Sequence, residues 1–195
     1  MIDKISKKIT SSLEEAGAVP PEDKALYEYG IRMGILMVIN VVTALLIGLI
    51  MGMVLQCAVF LIAYSPVRSY SGGYHARSAL TCYLLSIPLI AALLMVIRSV
   101  PWESYILAPV LLISILIIVL LAPVADPNKP LNAREIAVYR RKARIFAGIY
   151  SLAALVLLLA DFVQISASIA VALAAAAALL ISGKSVNRII PEEKA

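Results

Sequence analysis

The chain has 195 residues, of which 62% are hydrophobic, and a formal net charge of +5. Soluble globular domains are about 45–50% apolar, so this composition excludes a water-soluble protein. Several stretches approach or exceed the roughly 17–25 apolar residues needed to cross a bilayer. We therefore predict an all-α, polytopic membrane protein with about six transmembrane helices. The positive charge is not a sign of nucleic-acid binding, because basic residues of membrane proteins gather in cytoplasmic loops.

The cysteine and histidine counts argue against metal or disulfide chemistry. The chain has two cysteines without paired spacing and a single histidine. Zinc sites usually need several nitrogen or sulfur ligands, and a disulfide framework needs paired cysteines. We expect no metal and no cofactor.

The N-terminal segment 1–32 is polar, with no secretory signal, and it is predicted to hold two helices. Apolar residues recur at helical spacing within residues 1–16: Ile2, Ile5, Ile9, Leu13 and Ala16. The lysines of this segment lie elsewhere on the helix. This pattern is typical of an amphipathic helix on a membrane surface, or of a helix packed on its own protein. Pro20 and Pro21 end it, and a second helix is expected from near Glu22.

The apolar core of the single integral membrane domain is predicted at residues 33–182. Its first block, Met33 to Tyr64, is 32 residues without a charge. One helix of that length would measure about 48 Å, too long for a hydrocarbon core of about 30 Å. Gly48 and Gly52 therefore indicate a break into spans 33–49 and 53–66. Further spans follow at 83–97, 105–123, 145–160 and 164–182, with intervening loops at Arg98–Ser104, Asp126–Arg144 and Asp161–Gln164.

The basic residues orient these spans. Under the six-span arrangement, 16 of the 17 Lys and Arg residues lie on one side, and only Arg98 lies on the other. The positive-inside rule then places both termini, the tail 183–195, segment 68–82 and the 126–144 loop in the cytoplasm of a cell-membrane protein.

Chemistry is concentrated at residues 68–82, which contain the only histidine, His75, and Cys82. A thiol near its usual pKa of about 8.5 needs a neighbouring base to become a nucleophile, and an imidazole can supply one. On a straight helix the two residues would lie about 10.5 Å apart along the axis. Contact between them requires the backbone to bend between His75 and Cys82, and Gly72-Gly73 supply freedom just before His75. We therefore expect a turn or re-entrant segment at the membrane–cytosol boundary, with Cys82 near the start of the next span. Cys57 is interpreted as a buried small hydrophobe, and by spacing alone the His75/Cys82 pair could also be incidental.

At these residues the chain resembles the AgrB family (accessory gene regulator protein B). The matching text is Arg68, Ser71-Gly72-Gly73-Tyr74-His75-Ala76 and Cys82, with a second match from Ala122 to Leu131. The resemblance implies a membrane cysteine endopeptidase that acts on an AgrD-like propeptide in quorum sensing.

The resemblance assigns roles to individual residues. Cys82 becomes the nucleophile and His75 its base and acid, with Arg68 and Gly73 as supporting residues. Arg68 either binds a substrate carboxylate or the acidic tail of the precursor, or it is a positive-inside anchor at a helix end. Ser78 is one of the nearest hydroxyls, and basic residues including Lys129 could steer an acidic precursor tail.

The implied reaction is attack of the thiol on a peptide carbonyl, release of the C-terminal tail and cyclisation from the thioester. Membrane lipid is an expected partner, and a homodimer would suit a subunit of this size that holds a membrane-bound peptide. The alternative function is a non-catalytic peptide transporter or binding protein of the same fold.

Overall fold

Seven α-helices make up nearly all of the computed structural model, which describes residues 2–73, 79–124 and 132–189. A single 3-10 turn, Pro21–Asp23, precedes the second helix. The described residues form no strand, so the predicted all-α fold is confirmed. The helices are α1 (Ile2–Glu15), α2 (Lys24–Ile50), α3 (Val54–Ser71), α4 (Ala79–Ser99), α5 (Ser104–Leu121), α6 (Ala133–Leu159) and α7 (Val163–Ile189).

Five helices in the described part of the chain are long and apolar enough to cross a membrane: α2, α4, α5, α6 and α7. This confirms a polytopic membrane protein. α3 occupies the predicted second span but is more polar, because Gln56 and Arg68 lie within its 18 residues.

The break between α2 and α3 occurs where the sequence predicts it. Gly52 has a φ of 67°, in the left-handed region that glycine enters without a steric penalty. The adjoining helix ends approach closely, since a Cβ built on Gly48 would lie 2.8 Å from the Cβ of Cys57. Glycine at position 48 is therefore what allows this approach.

The chain divides into two compact units, Met1–Ala44 and Leu45–Ala195, with the boundary inside α2. In the first unit, two ion pairs join α1 to the start of α2. Arg32 lies 3.2 Å from Asp3, and Lys24 lies 2.5 Å from Glu14. Because the partners run in opposite order along the two helices, α1 and the start of α2 form an antiparallel hairpin.

α7 is the central helix of the second unit. It packs against α3, α4, α5 and α6, and 61% of its most apolar stretch is buried, against 22% or less for the other four candidate spans. Its buried residues are mostly small, which lets helix backbones approach closely. At its first turn the Ser166 hydroxyl donates to the Ala154 carbonyl of α6 over 2.7 Å.

α6 extends well beyond the predicted span 145–160 and takes up much of the predicted loop Asp126–Arg144. The cause is a capping box in which the Asn132 side chain accepts from the Glu135 N–H at 2.9 Å. The Glu135 carboxylate in turn accepts from the Asn132 N–H at 3.0 Å. These bonds satisfy helix N–H groups that would otherwise be unpaired, so the helix begins at Ala133.

Candidate active site at the end of α3 and the start of α4

The half-buried Arg68 side chain forms hydrogen bonds at the C-terminal end of α3. Its guanidinium donates to the carbonyl of Gly72, while the Gly72 N–H donates to the Arg68 carbonyl at 3.2 Å. Arg68 also forms a side-chain hydrogen bond with Tyr64, one helical turn earlier. These contacts hold the guanidinium at the end of α3, and the two roles that the sequence leaves open for Arg68 stay predictions.

Gly72 and Gly73 form a turn after α3, whereas the bend predicted between His75 and Cys82 falls largely outside the described residues. The φ angles of the two glycines are 71° and 114°, both in the region that favours glycine. A Cβ on Gly72 would collide with the Val124 carbonyl, and a Cβ on Gly73 would lie 2.6 Å from the Leu179 carbonyl of α7. Close approach of neighbouring backbones therefore adds to the conformational reason for glycine at both positions.

The turn is joined to the segment that follows α5. The Val124 N–H donates to the Ser71 carbonyl at 2.9 Å, and the Gly73 N–H donates to the Val124 carbonyl at 3.3 Å. Gly72 and Val124 thus form an isolated parallel β-bridge. The two stretches on which the resemblance rests, around Gly72-Gly73 and from Ala122 onwards, meet at this bridge.

Ser71 lies at the same junction and is fully buried. Its hydroxyl has no hydrogen-bond partner among the described residues, whereas buried hydroxyls are normally paired.

The two cysteines occupy opposite environments. Cys82 lies in the first turn of α4 and is exposed, whereas Cys57 is buried in α3. Both placements agree with the sequence predictions. Of the two thiols, only that of Cys82 is exposed.

Tyr64 is a residue of this site that the sequence analysis missed. Its hydroxyl is bonded to Arg68, and its side chain lies near Cys82. The sequence signal was its position four residues before Arg68, which places both side chains on one helix face. Three predicted site residues, His75, Ser78 and Lys129, lie outside the described residues, so the contact between His75 and Cys82 stays a prediction.

Fold and site together define a polytopic helical membrane protein with an exposed thiol at the start of a span and, earlier in the chain, a glycine turn bonded to an arginine. The chain matches the family model for Accessory gene regulator B over residues 2–182. It belongs to the AgrB family.

Curated relatives support this assignment. The chain is 30% identical over 142 residues to AgrB-like protein 2 of Clostridium perfringens strain 13, a match covering 69% of this chain and 66% of the relative. An AgrB-like protein of C. perfringens strain SM101 is 28% identical over the same shares of both chains. One from Listeria monocytogenes is 28% identical over 55% of this chain and 53% of its own length. The aligned region thus spans about two-thirds or less of these relatives, and no solved structure matches the chain.

Proposed function

We propose that this protein is a membrane-embedded cysteine endopeptidase that removes the C-terminal tail of an AgrD-like propeptide and supports its cyclisation to a quorum-sensing peptide. The observation that carries the proposal is the contrast between the exposed Cys82 and the buried Cys57. The accessible thiol follows the Gly72-Gly73 turn by nine residues, and the only histidine, His75, lies between them.

In the first step His75 takes the proton of the Cys82 thiol, and the thiolate attacks a carbonyl carbon of the propeptide. The peptide C–N bond then breaks, and the leaving amine receives the proton from His75. The tail departs with a free amino group, and the N-terminal part stays on Cys82 as a thioester. Backbone N–H groups near Cys82 are the proposed donors for the oxyanion.

In the second step a thiol or hydroxyl within the bound peptide attacks the thioester carbonyl. A new thioester or ester closes the ring, and the Cys82 sulfur leaves and regains its proton. Water would hydrolyse the same thioester, so the site must exclude it. A position at the edge of the membrane serves that requirement.

Arg68 acts in this scheme as a positioning residue. Its bond to the Gly72 carbonyl fixes the turn three residues before His75. Lys129 and the basic start of α6 would attract an acidic precursor tail. Membrane lipid and a second copy of the chain are the further proposed partners.

The test uses purified protein in lipid with an AgrD-like propeptide, and mass spectrometry of the protein and the products. Wild type and Cys57→Ala should both carry the acyl adduct and release the tail, because Cys57 is buried. Cys82→Ala should lose both, and His75→Ala should lose tail release. Unchanged processing by Cys82→Ala would contradict the proposal and favour a non-catalytic peptide transporter or binding protein.

A further inference from the structure

α1 uses a polar face for its protein contacts. Ser6 and Thr10 are fully buried, and they lie on the helix face that carries Asp3 and Glu14, the two residues paired with α2. Their hydroxyls donate within α1, Ser6 to the Asp3 carbonyl at 3.1 Å and Thr10 to the Ser6 carbonyl at 2.8 Å. The hairpin is therefore closed by small residues whose polar atoms are already satisfied.

The apolar stripe of α1 is left uncovered as a result. Ile5 is 43% exposed and Ile9 is 40% exposed. They lie beside the Ser6/Thr10 face, and a helix that hid its apolar residues in the hairpin would have buried them instead. Ile5 and Ile9 are therefore available to an occupant other than α2.

The charges around the stripe indicate what that occupant is. Lys4, Lys7 and Lys8 are exposed, and they have no ion-pair partner among the described residues. α1 is also linked by a short connection to α2, a candidate membrane span. An amphipathic helix with an apolar stripe, exposed lysines and a bilayer within reach has the properties of an interfacial membrane helix.

We propose that α1 lies in the headgroup region of an anionic lipid leaflet. Ile5 and Ile9 point toward the acyl chains, while Lys4 and Lys8 contact lipid phosphates. The hairpin ion pairs hold α1 in the orientation that presents this stripe. This inference concerns lipid binding and does not depend on the proposed peptidase activity.

The test is spin-label depth measurement on the full chain in phosphatidylcholine vesicles that contain phosphatidylglycerol. Labels are placed by Ile5→Cys or Ile9→Cys in a Cys82→Ala background, which removes the accessible native thiol. Lys7→Cys is the matched control, because Lys7 lies on the opposite side of α1. Labels at 5 and 9 should lie about 5–10 Å inside the headgroup boundary, with oxygen access above that of a water-soluble nickel complex. The label at position 7 should show the reverse.

A second arm tests the charge. Lys4→Gln with Lys8→Gln, or vesicles of phosphatidylcholine alone, should bring the labels at 5 and 9 closer to the aqueous phase. Labels at 5 and 9 that match position 7 in nickel access would overturn the proposal, since the stripe would then face water. Protection from both oxygen and nickel, unchanged by lipid composition, would also overturn it, because a second copy or another peptide would then cover the stripe.

Discussion

Gly73 lies close to three other parts of the chain, namely the end of α3, the segment after α5 and helix α7. Its N–H is bonded to Val124, and a Cβ would lie 3.0 Å from the Arg68 guanidinium and 2.6 Å from the Leu179 carbonyl. The backbone carbonyl cannot move aside as a flexible side chain can. Gly73 is therefore required by its surroundings as well as by its φ of 114°.

We expect Gly73→Ala to lower the processing rate and the thermal stability together. Backbone strain of this kind costs about 1–3 kcal/mol, and displacement of the turn would move His75 relative to Cys82. Gly148→Ala is the matched control, because a Cβ there meets nothing within 4 Å. Inside helix α6 that change should be neutral or stabilising by up to about 1 kcal/mol. Thermal unfolding and propeptide cleavage measure both effects, and wild-type cleavage by Gly73→Ala would contradict the role given to this turn.

The residues of the site differ in how well the sequence predicted them. Gly72-Gly73 signals a turn by composition, and Cys57 signals burial by its apolar neighbours. The burial of Cys57 is confirmed, and Gly72-Gly73 does adopt a turn, but the bend predicted between His75 and Cys82 stays a prediction. The contacts of Gly73 with Val124 and Leu179 depend on helices distant in sequence, and no local pattern reports them. The hydrogen bond between Tyr64 and Arg68 needed only helical spacing and was open to prediction.

Among the helices, α3 and α6 are joined by an aromatic contact just before the glycine turn. The Tyr70 ring stacks on Phe146 at 5.6 Å and meets the edge of Tyr139 at 5.8 Å. The Lys142 ammonium lies over the same ring, 4.7 Å from its centre. Tyr70 thereby fixes the last turn of α3 against α6.

Tyr70→Leu should destabilise the protein by about 1–3 kcal/mol, because it removes two aromatic pairs and a cation–π contact. The same change at Tyr105, whose ring is 68% exposed, is the control and should have little effect. Thermal unfolding in detergent measures the difference. An equal loss of stability in both variants would mean that the Tyr70 contacts contribute nothing specific.

The start of α6 provides a second prediction about an element. Asn132→Ala removes the capping bond to Glu135 and should cost about 1 kcal/mol, seen as faster amide hydrogen exchange in the first turn. Asn132→Asp preserves the acceptor and should exchange like wild type. If both variants exchange at the wild-type rate, the capping box does not set this helix end. The Asn-x-x-Glu spacing was visible in the sequence, so this boundary could have been predicted.

For the whole molecule, we predict that α3 crosses the membrane. If α3 crosses the membrane, the α2–α3 turn and the α4–α5 loop lie outside the cell, and the start of α6 lies in the cytoplasm. This topology agrees with the positive-inside rule. A membrane-impermeant maleimide on intact cells tests this with Met51→Cys, Glu103→Cys and Arg134→Cys in a Cys82→Ala background. The first two should be labelled from outside, and the third only after permeabilisation. If Met51→Cys needs permeabilisation while Glu103→Cys does not, α3 does not cross.

The five candidate spans were accessible from the sequence because the hydrocarbon thickness sets a length of apolar residues that is read locally along the chain. The arrangement of the helices around α7 was not. A run of alanines permits close packing but does not say which helices pack against it.

The central place of α7 has a consequence for biosynthesis. α7 follows α3, α4, α5 and α6 in the chain, yet all four pack against it. The ribosome therefore delivers four helices to the membrane before their common partner exists. Small and polar residues that these helices later bury include Ala63, Ser114 and Ala147. Until then these residues must face lipid, other helices or an insertion factor. Tertiary assembly of the bundle is accordingly completed only after α7 has been inserted, as a late and concerted step.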